Sequence, residues 1–548
     1  MTSTYTDTPT HERKRLEPFD HLAAAVDDFE GYDTPHAARV AQLCDQIAAL
    51  FSLASHDRAS LRVAALAHDL GEAAMRRDYI KRAGALSEEE RQDLARHPVI
   101  GEQEAAHAGA ERAAQLLVRW HHEWWNGAGY PDALRADQIP LAARILRVAD
   151  VYASLTKARP FRSARTAEEA HRHLTEGAGL EFDPKVVRAF LSLNLSDERE
   201  PNALPEEEFT TPSASRALMS HVAFANNSAP SSFLQEQSGT FSPLADKWLA
   251  FDLSVLRRLK FRSVALPFAD EPHLGVALRD MGARVAANST AQSSAIKNAA
   301  NLVYHEAKLS EAEVETTLAD AYVPGYALHN QDLSKWFREV DAWWFDNVRA
   351  NINRLETEAA RTQALSIGLM VGDYVRSFDA ETRVLRQPLS KVFQRLWSAQ
   401  QAHAANRAPS GSSHHREARD FIAEQHNSDL LFLRLPRAQN VWEAQRDPHC
   451  AWRESWVSGE NEIKEKAAIK GATPSSLRIE SKGQYLRFVE EILGTALHIE
   501  RWAIAHVEDG FVSTAEMVET ISRLRKVETI YTKDFSELMG ARATIIAA

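Results

Sequence analysis

Residues Arg119 to Pro160 read RWHHEWWNGAGYPDALRADQIPLAARILRVADVYASLTKARP, and the fold of the first third of the chain turns on them. Two adjacent histidines, His121 and His122, are followed by a tight turn, Asn126-Gly127-Ala128-Gly129-Tyr130-Pro131. An apolar helical run then carries one aspartate, Asp150. Neighbouring imidazoles are costly to keep in a plain core helix, because each ring nitrogen needs a partner. One divalent cation, or a pair, satisfies them together.

Working outward, the chain from about Leu16 to Leu193 predicts helix after helix. Apolar residues recur at helical spacing in HAARVAQLCDQIAALFSLA (36–54), ASLRVAALAHDLGEAAM (59–75) and GAERAAQLLVRWHHEWW (109–125). Pro98, Pro131, Pro140 and Pro184 punctuate the turns. His36 opens a helix after Pro35, His68-Asp69 closes an apolar one, and His97 precedes Pro98. With His121, His122 and Asp150 these make five imidazoles and two carboxylates in one domain. A single histidine on such a face is more often a satisfied core residue, but seven ligand-type side chains together argue for convergence on metal. Nitrogen and oxygen donors without thiolates suit Fe, Mn, Ni or Zn. A carboxylate directly after a histidine can bridge two ions, which is the minimum machinery for hydrolysing a phosphoester without a protein nucleophile.

The strings HAARV, AHDLGE, HPVIGE, HHEWWNGAGYPD, IPLAARILRVADVYASLTKARPFR and FDPKVV carry a family resemblance. The domain resembles the HD superfamily of metal-dependent phosphohydrolases, and within it the HD-GYP phosphodiesterases. The resemblance implies a helical bundle with His36, His68, Asp69, His97, His121, His122 and Asp150 as ligands to two divalent ions. It implies Asp69 as the bridge, and His68 and Asp69 as the catalytic pair. It also implies a phosphodiester substrate such as a cyclic dinucleotide, with Tyr130 lining the pocket and Arg159 and Arg162 meeting phosphate. Three positions depart from the pattern: Glu72 stands where a lysine is usual, and Asn126 and Ala153 each replace an aspartate. A carboxylate at position 72 repels a phosphate unless it turns away or binds metal. No glutamate lies four residues before His36, so a third ion is not expected.

The remainder divides by composition. Residues 1–15 read as a disordered tail, 16–195 as the helical domain, and 196–242, rich in Ser, Pro, Asn and acids, as a linker. Residues 243–548 read as mixed α/β with a helical insertion at about 291–403. Phe261 to Phe268 predicts a buried strand, HLGVALRDMG a helix, ARVAAN a second strand, and DLLFLRLP and WAIAHV further strands. Trp336, Trp343, Trp344 and Phe345 predict an aromatic core, and AANRAPSGSSHHREAR, with His414 and His415, a flexible loop.

This half resembles the Dam-type adenine-specific DNA methyltransferases at SVALPFADEPHLGVALRDMGARVAANS, SDLLFLRLPRA and ERWAIAHVEDGFVSTAEMVETI. The resemblance implies a Rossmann-like fold. Each motif is degenerate: the glycine turn is Ala269-Asp270-Glu271-Pro272, the acidic cofactor partner is missing at Asn288-Ser289, and the catalytic tetrad is Arg434-Leu435-Pro436-Arg437. Neither methyl transfer nor S-adenosylmethionine binding is expected. Arg257, Arg258, Lys260 and Arg262, joined by Arg434 and Arg437 at one end of the sheet, offer a nucleic-acid platform.

Over 548 residues the net charge is -12, which disfavours a general polyanion binder. Two cysteines, Cys44 and Cys450, cannot build a disulfide framework. No apolar run approaches the roughly 20 residues needed to cross a bilayer, and the polar N-terminal stretch lacks a signal peptide's apolar core. The expectation is a cytoplasmic protein, compatible with an oligomer and without a membrane partner. Its leading function is a metal-dependent phosphodiesterase acting on a nucleotide such as a cyclic dinucleotide, with a catalytically dead methyltransferase-like domain for recognition or regulation. The alternatives are an HD-type nuclease acting on DNA or RNA in genome or phage defence, and a non-catalytic metal-binding sensor or scaffold.

Overall fold

A computed structural model describes residues 10–32, 34–82, 85–158, 163–193, 247–401, 411–435, 451–458, 481–508 and 510–548. The linker, Arg159, Arg162 and Arg437 lie outside the described residues. Among the described residues, ten α-helices build the first domain: α1 (Thr10–Glu30), α2 (His36–Leu50), α3 (Ser55–Ala67), α4 (Leu70–Met75), α5 (Glu88–Leu94), α6 (His97–His107), α7 (Arg112–Trp120), α8 (Leu141–Thr156), α9 (Ala167–Gly177) and α10 (Pro184–Leu191). Helix α1 starts inside the stretch read as a tail.

Local signals set several boundaries. Ser87 and Glu90 form a capping box at α5, Thr166 and Glu169 do so at α9, and Asp183 caps α10 ahead of Pro184. The core joins Val40, Leu43 and Ile47 of α2 to Leu61 and Ala64 of α3, Leu116 to Val118 of α7, and Ile145 and Val148 of α8. These are the apolar stripes whose period marked the helices in sequence.

The second half is a seven-stranded mixed sheet with helices. Helix α11 (Leu249–Leu256) leads into β1 (Ser263–Leu266), α12 (His273–Asp280), β2 (Arg284–Asn288) and α13 (Gln292–Asn298). The helical insertion contains α14 (Glu311–Leu318), α15 (Glu339–Ile352), α16 (Glu358–Arg376) and α17 (Leu389–Gln401). Strand β3 (Ser412–His414), α18 (Ala418–Ala423), β4 (Leu430–Arg434), β5 (Arg501–Glu508), β6 (Thr529–Asp534) and β7 (Arg542–Ala547) complete the sheet, in the order β3-β2-β1-β4-β5-β7-β6. The first five are parallel, and β7 runs antiparallel between β5 and β6. Continuous apolar runs such as SVAL and LLFL suit strands covered on both faces. The insertion's core is aromatic: Trp344 and Phe345 are buried, while Trp336 and Trp343 are half-buried. Phe345 packs against Trp452 and Trp456.

Two expectations need correction. Ser412 to His414 form a strand rather than a flexible loop, because Ala286 to Asn288 of β2 offer them a parallel edge; His415 follows directly, its Nδ1 3.1 Å from the Ser289 carbonyl. The basic residues do not share one end of the sheet. The parallel register Val264↔Leu430 places Arg257, Arg258, Lys260 and Arg262 before the start of β1, and Arg434 at the far end of β4. There Arg434 pairs with the buried Asp252. No helix among the described residues is long and apolar enough to cross a membrane.

The domains are locked by a buried charge network. Arg119 of α7 is 2% exposed; its Nε and Nη2 donate to Asp132 at 2.6 and 2.9 Å, and its Nη1 to Glu102 at 2.8 Å. From the second domain, Lys533 meets Glu102 at 2.7 Å and the Ala250 amide donates to Asp132 at 3.1 Å. Phe535 stacks between Trp120 and Trp248, with ring centroids 5.7 and 4.8 Å away.

Candidate metal centre

Helices α2, α3, α6, α7 and α8 bring the predicted ligands to one place from their ends and inner faces. His36 begins α2, where Asp27 of α1 accepts its amide at 2.9 Å, anchoring the helix start. His68 caps α3 and Asp69 follows it; His97 begins α6; His121 caps α7; Asp150 sits inside α8. Close packing of α4 on α6 depends on Gly71, where a Cβ would collide with the His97 carbonyl oxygen. Gly129 has the same role in the turn, facing the His122 carbonyl and the Trp124 amide.

Three imidazoles share one arrangement. The Nδ1 atoms of His68, His97 and His121 lie 2.9, 2.8 and 2.6 Å from the carbonyls of Ala65, Leu94 and Val118, each three residues back. A carbonyl only accepts, so each Nδ1 donates, which leaves the Nε2 lone pair for a ligand. The Nε2 atoms of His97 and His121 approach to 3.3 Å. Asp69 lies between two groups: Oδ2 is 2.9 Å from His68 Nε2, and Oδ1 is 3.7 Å from both His97 and His121 Nε2. Asp150 Oδ1 is 3.4 Å from His36 Nε2 and 3.7 Å from His68 Nε2.

One ligand atom from each of Asp69, His97, His121 and His122 falls within 4.8 Å of the others, and the same holds for His36, His68 and Asp69. His36, His68, His97 and His121 are each no more than 1% exposed. Neither nitrogen of His36, nor Nε2 of His68, makes a well-formed hydrogen bond among the described residues. Buried polar atoms left in this state cost free energy unless a ligand takes them up. The residues therefore fit divalent metal, with Asp69 common to both groups.

The electrostatics agree. Burial and the adjacent His121 push His97 down to about 4, so its ring is neutral at physiological pH. Burial opposes a charge on His68 as well, but Asp69 and Asp150 outweigh it and hold His68 up to about 10. Ion uptake there has to displace a proton.

Around the cluster, Tyr130 stacks on His122 with ring centroids 4.9 Å apart. Glu72 Oε1 is 4.0 Å from His97 Nδ1, the nitrogen bound to the Leu94 carbonyl, and its charge acts on Tyr130. Arg147 was missed in sequence, although it lies one helical turn before Asp150 and donates to His122 Nδ1 at 2.8 Å. Its spacing from Asp150 was the available signal.

In the second domain, charged groups after β1 are paired with one another and with the first domain. Glu271 meets Arg135 of the first domain at 3.3 Å and Lys297 at 3.2 Å, and Asp373 meets Arg135 at 3.1 Å and Arg453 at 2.6 Å. The Asn288 amide donates to the Pro267 and Arg416 carbonyls, and Ser289 Oγ donates to the Ala269 carbonyl.

The HD domain family model matches residues 22–186. The chain is similar to the cyclic di-GMP phosphodiesterase response regulator RpfG of Xanthomonas campestris pv. campestris (strain 8004). They are 34% identical over 183 residues, which is 33% of this chain and 48% of that protein. It is also similar to the 3'3'-cGAMP-specific phosphodiesterase 2 of Vibrio cholerae serotype O1, 31% identical over 174 residues, 31% of this chain and 33% of that protein. A solved structure, Bd1817, a HDG"Y"P protein from Bdellovibrio bacteriovorus, matches 33% of this chain and 58% of its own at 18% identity and a TM-score of 0.26. The chain spans less than half the length of these curated relatives.

Proposed function

We propose that the N-terminal domain is a metal-dependent phosphodiesterase acting on a cyclic dinucleotide. The observation that carries this reading is the position of Asp69 between two histidine groups whose buried nitrogens face one another. His36, His68, Asp69 and Asp150 would hold one ion, and Asp69, His97 and His121 the other, with His122 alongside. Bound divalent ions supply Lewis acidity to a phosphoryl oxygen and make water acidic near neutral pH. The chain's own part is to hold the imidazoles in their Nε2-facing tautomer through the backbone carbonyls, to keep the site dry, and to orient the substrate against Tyr130. The relatives' names supply the substrate class, since they are phosphodiesterases of cyclic di-GMP and of 3'3'-cGAMP. The test is turnover by the full chain loaded with Mn or Fe, followed by separation of products. Linear dinucleotide or mononucleotide from cyclic di-GMP or 3'3'-cGAMP supports the reading. A metal-loaded chain inert on both, and on single- and double-stranded DNA, would favour the sensor.

The second domain we read as a methyltransferase-like fold that binds S-adenosylmethionine poorly. Its strand order reverses between β1 and β4, and in open α/β sheets the crevice at such a switch point is where ligands sit. Glu271, which follows β1, belongs to the Arg135–Glu271–Lys297–Asp373–Arg453 network, and the reading is that this network takes the place of a cofactor. Calorimetric titration with S-adenosylmethionine should show no tight binding; micromolar affinity would refute the reading.

A further inference from the structure

The turn that carries Tyr130 is held from both domains. Within the first, the buried Glu123 accepts the amides of Asp132 and Leu134 at 2.6 and 3.0 Å, and the Tyr130 amide donates to the His122 carbonyl at 3.2 Å. The second domain takes hold just beyond Tyr130. The Leu249 amide donates to the Asp132 carbonyl at 3.3 Å and the Ala250 amide to Asp132 Oδ1 at 3.1 Å. These are the first two residues of α11, whose own N-cap, Trp248, makes no side-chain capping bond. Asp132 therefore caps a helix of the other domain.

Arg135 makes the second attachment. Its Nη1 donates to Glu271 at 3.3 Å and its Nη2 lies 3.1 Å from Asp373. The two carboxylates are 23% and 15% exposed in their side chains, so the contacts are only partly screened by water. Lys297 serves both carboxylates as well, and Arg453 serves Asp373. Removing Arg135 thus leaves each acid with a cation; what is lost is the tie between the turn and the second domain. Arg135 reaches the histidine cluster through the backbone, back to Tyr130, whose ring stacks on His122 with centroids 4.9 Å apart.

Resting on the phosphodiesterase reading above, which makes Tyr130 a wall of the substrate pocket, we propose that the second domain supports that wall, with Arg135 as the positioning residue. Its bonds to Glu271 and Asp373, together with the Asp132 cap on α11, fix the Tyr130 turn against His122. The second domain then sets substrate affinity in the first through this turn. A change at Glu271, 136 residues along the chain from Arg135, is felt at Tyr130.

The test uses the full chain loaded with Mn, as the parent, Arg135→Ala, Arg135→Lys and Glu271→Gln. Metal content should be unchanged in all of them, because each of the predicted ligands is intact. Amide hydrogen exchange over residues 126–136 should quicken about 10-fold in Arg135→Ala, the scale of a lost charge-assisted bond, and less in Glu271→Gln, where Asp373 still holds the arginine. Helices α2, α3 and α8 should keep the parent's rates. In turnover of the cyclic dinucleotides named above, KM should rise about 5–50-fold in Arg135→Ala, with kcat changed less. Arg135→Lys should restore part of both effects through its charge. Exchange over 126–136 at the parent's rate in either Arg135→Ala or Glu271→Gln overturns the proposal. So does exchange quickened equally across the whole first domain, or a loss that falls on metal content or kcat with KM unmoved. Exchange is read without turnover, so a chain that cleaves no cyclic dinucleotide yet shows the local change in both variants fails the earlier reading and keeps this one.

Discussion

Replacing Asp69 with alanine is expected to cost the protein its metal and its turnover in one step. The carboxylate faces both histidine groups, with Oδ2 toward His68 and Oδ1 toward His97 and His121, and among the described residues it is the side chain common to both ligand groups. Its loss leaves Asp150, on the His36 and His68 side, as the remaining carboxylate of the proposed ligand set. Metal content should fall from about two ions to below one per chain, and kcat by at least ~10³-fold, about 4 kcal/mol of transition-state stabilisation. His68→Ala should act in the same direction, because His68 contacts Asp69 and stands 3.7 Å from Asp150. Elemental analysis and turnover on the same preparations check the pair of effects. Full activity in a metal-free Asp69→Ala protein would end the phosphodiesterase reading.

The largest effect on stability is expected from Arg119→Ala. Arg119 is 2% exposed and binds both Asp132 and Glu102, so its removal leaves the buried Asp132 without its cation and Glu102 with Lys533 and Arg112 alone. Breaking a buried pair of this kind costs roughly 3–5 kcal/mol. The same network sets a pH dependence. Burial alone would raise Glu102, but Arg119 and then Lys533 outweigh it and hold the carboxyl at about 2, against an ordinary 4.5. A depressed carboxyl stabilises the fold above its unfolded value, and that contribution is lost as pH falls from about 4.5 towards 2. Thermal or urea unfolding at neutral pH and at pH 3 should show the parent losing stability on acidification. Arg119→Ala should lose less, since the strongest of the cations holding the Glu102 carboxyl down is gone and Lys533 and Arg112 remain. Equal acid sensitivity in the two proteins would contradict the assignment.

The helical domain was legible because its signals are local. Apolar spacing marked α2, α3, α7 and α8, and the histidines stood at their ends, where a helix can aim a side chain across a gap. That seven donors share one volume could be argued from their number, but the pairing could not. Asp69 turns one oxygen to each group through tertiary packing, which leaves no mark in spacing. Arg147 carried one local signal, its spacing from Asp150, but its partners His122 and Glu181 lie 25 and 34 residues away and left none. In the second domain β1, β2, β4 and β5 were legible as apolar runs, whereas β3, β6 and β7 were not read as strands and the strand order was not legible. Register is what separated Arg434 from the basic residues before β1, and an unpaired β2 edge is what made Ser412 to His414 a strand. The interdomain lock at Arg119, Asp132 and Phe535 joins residues more than 400 positions apart at its extremes (Arg112 to Asp534, 422 apart), beyond the reach of any pattern.

The most direct measurement is elemental analysis of the full chain purified without chelators, repeated after reconstitution with Fe, Mn, Ni and Zn in turn. Convergence of the five imidazoles and two carboxylates predicts about two tightly held ions per chain. A protein that folds, yet stays free of metal with every one of these ions, would contradict it.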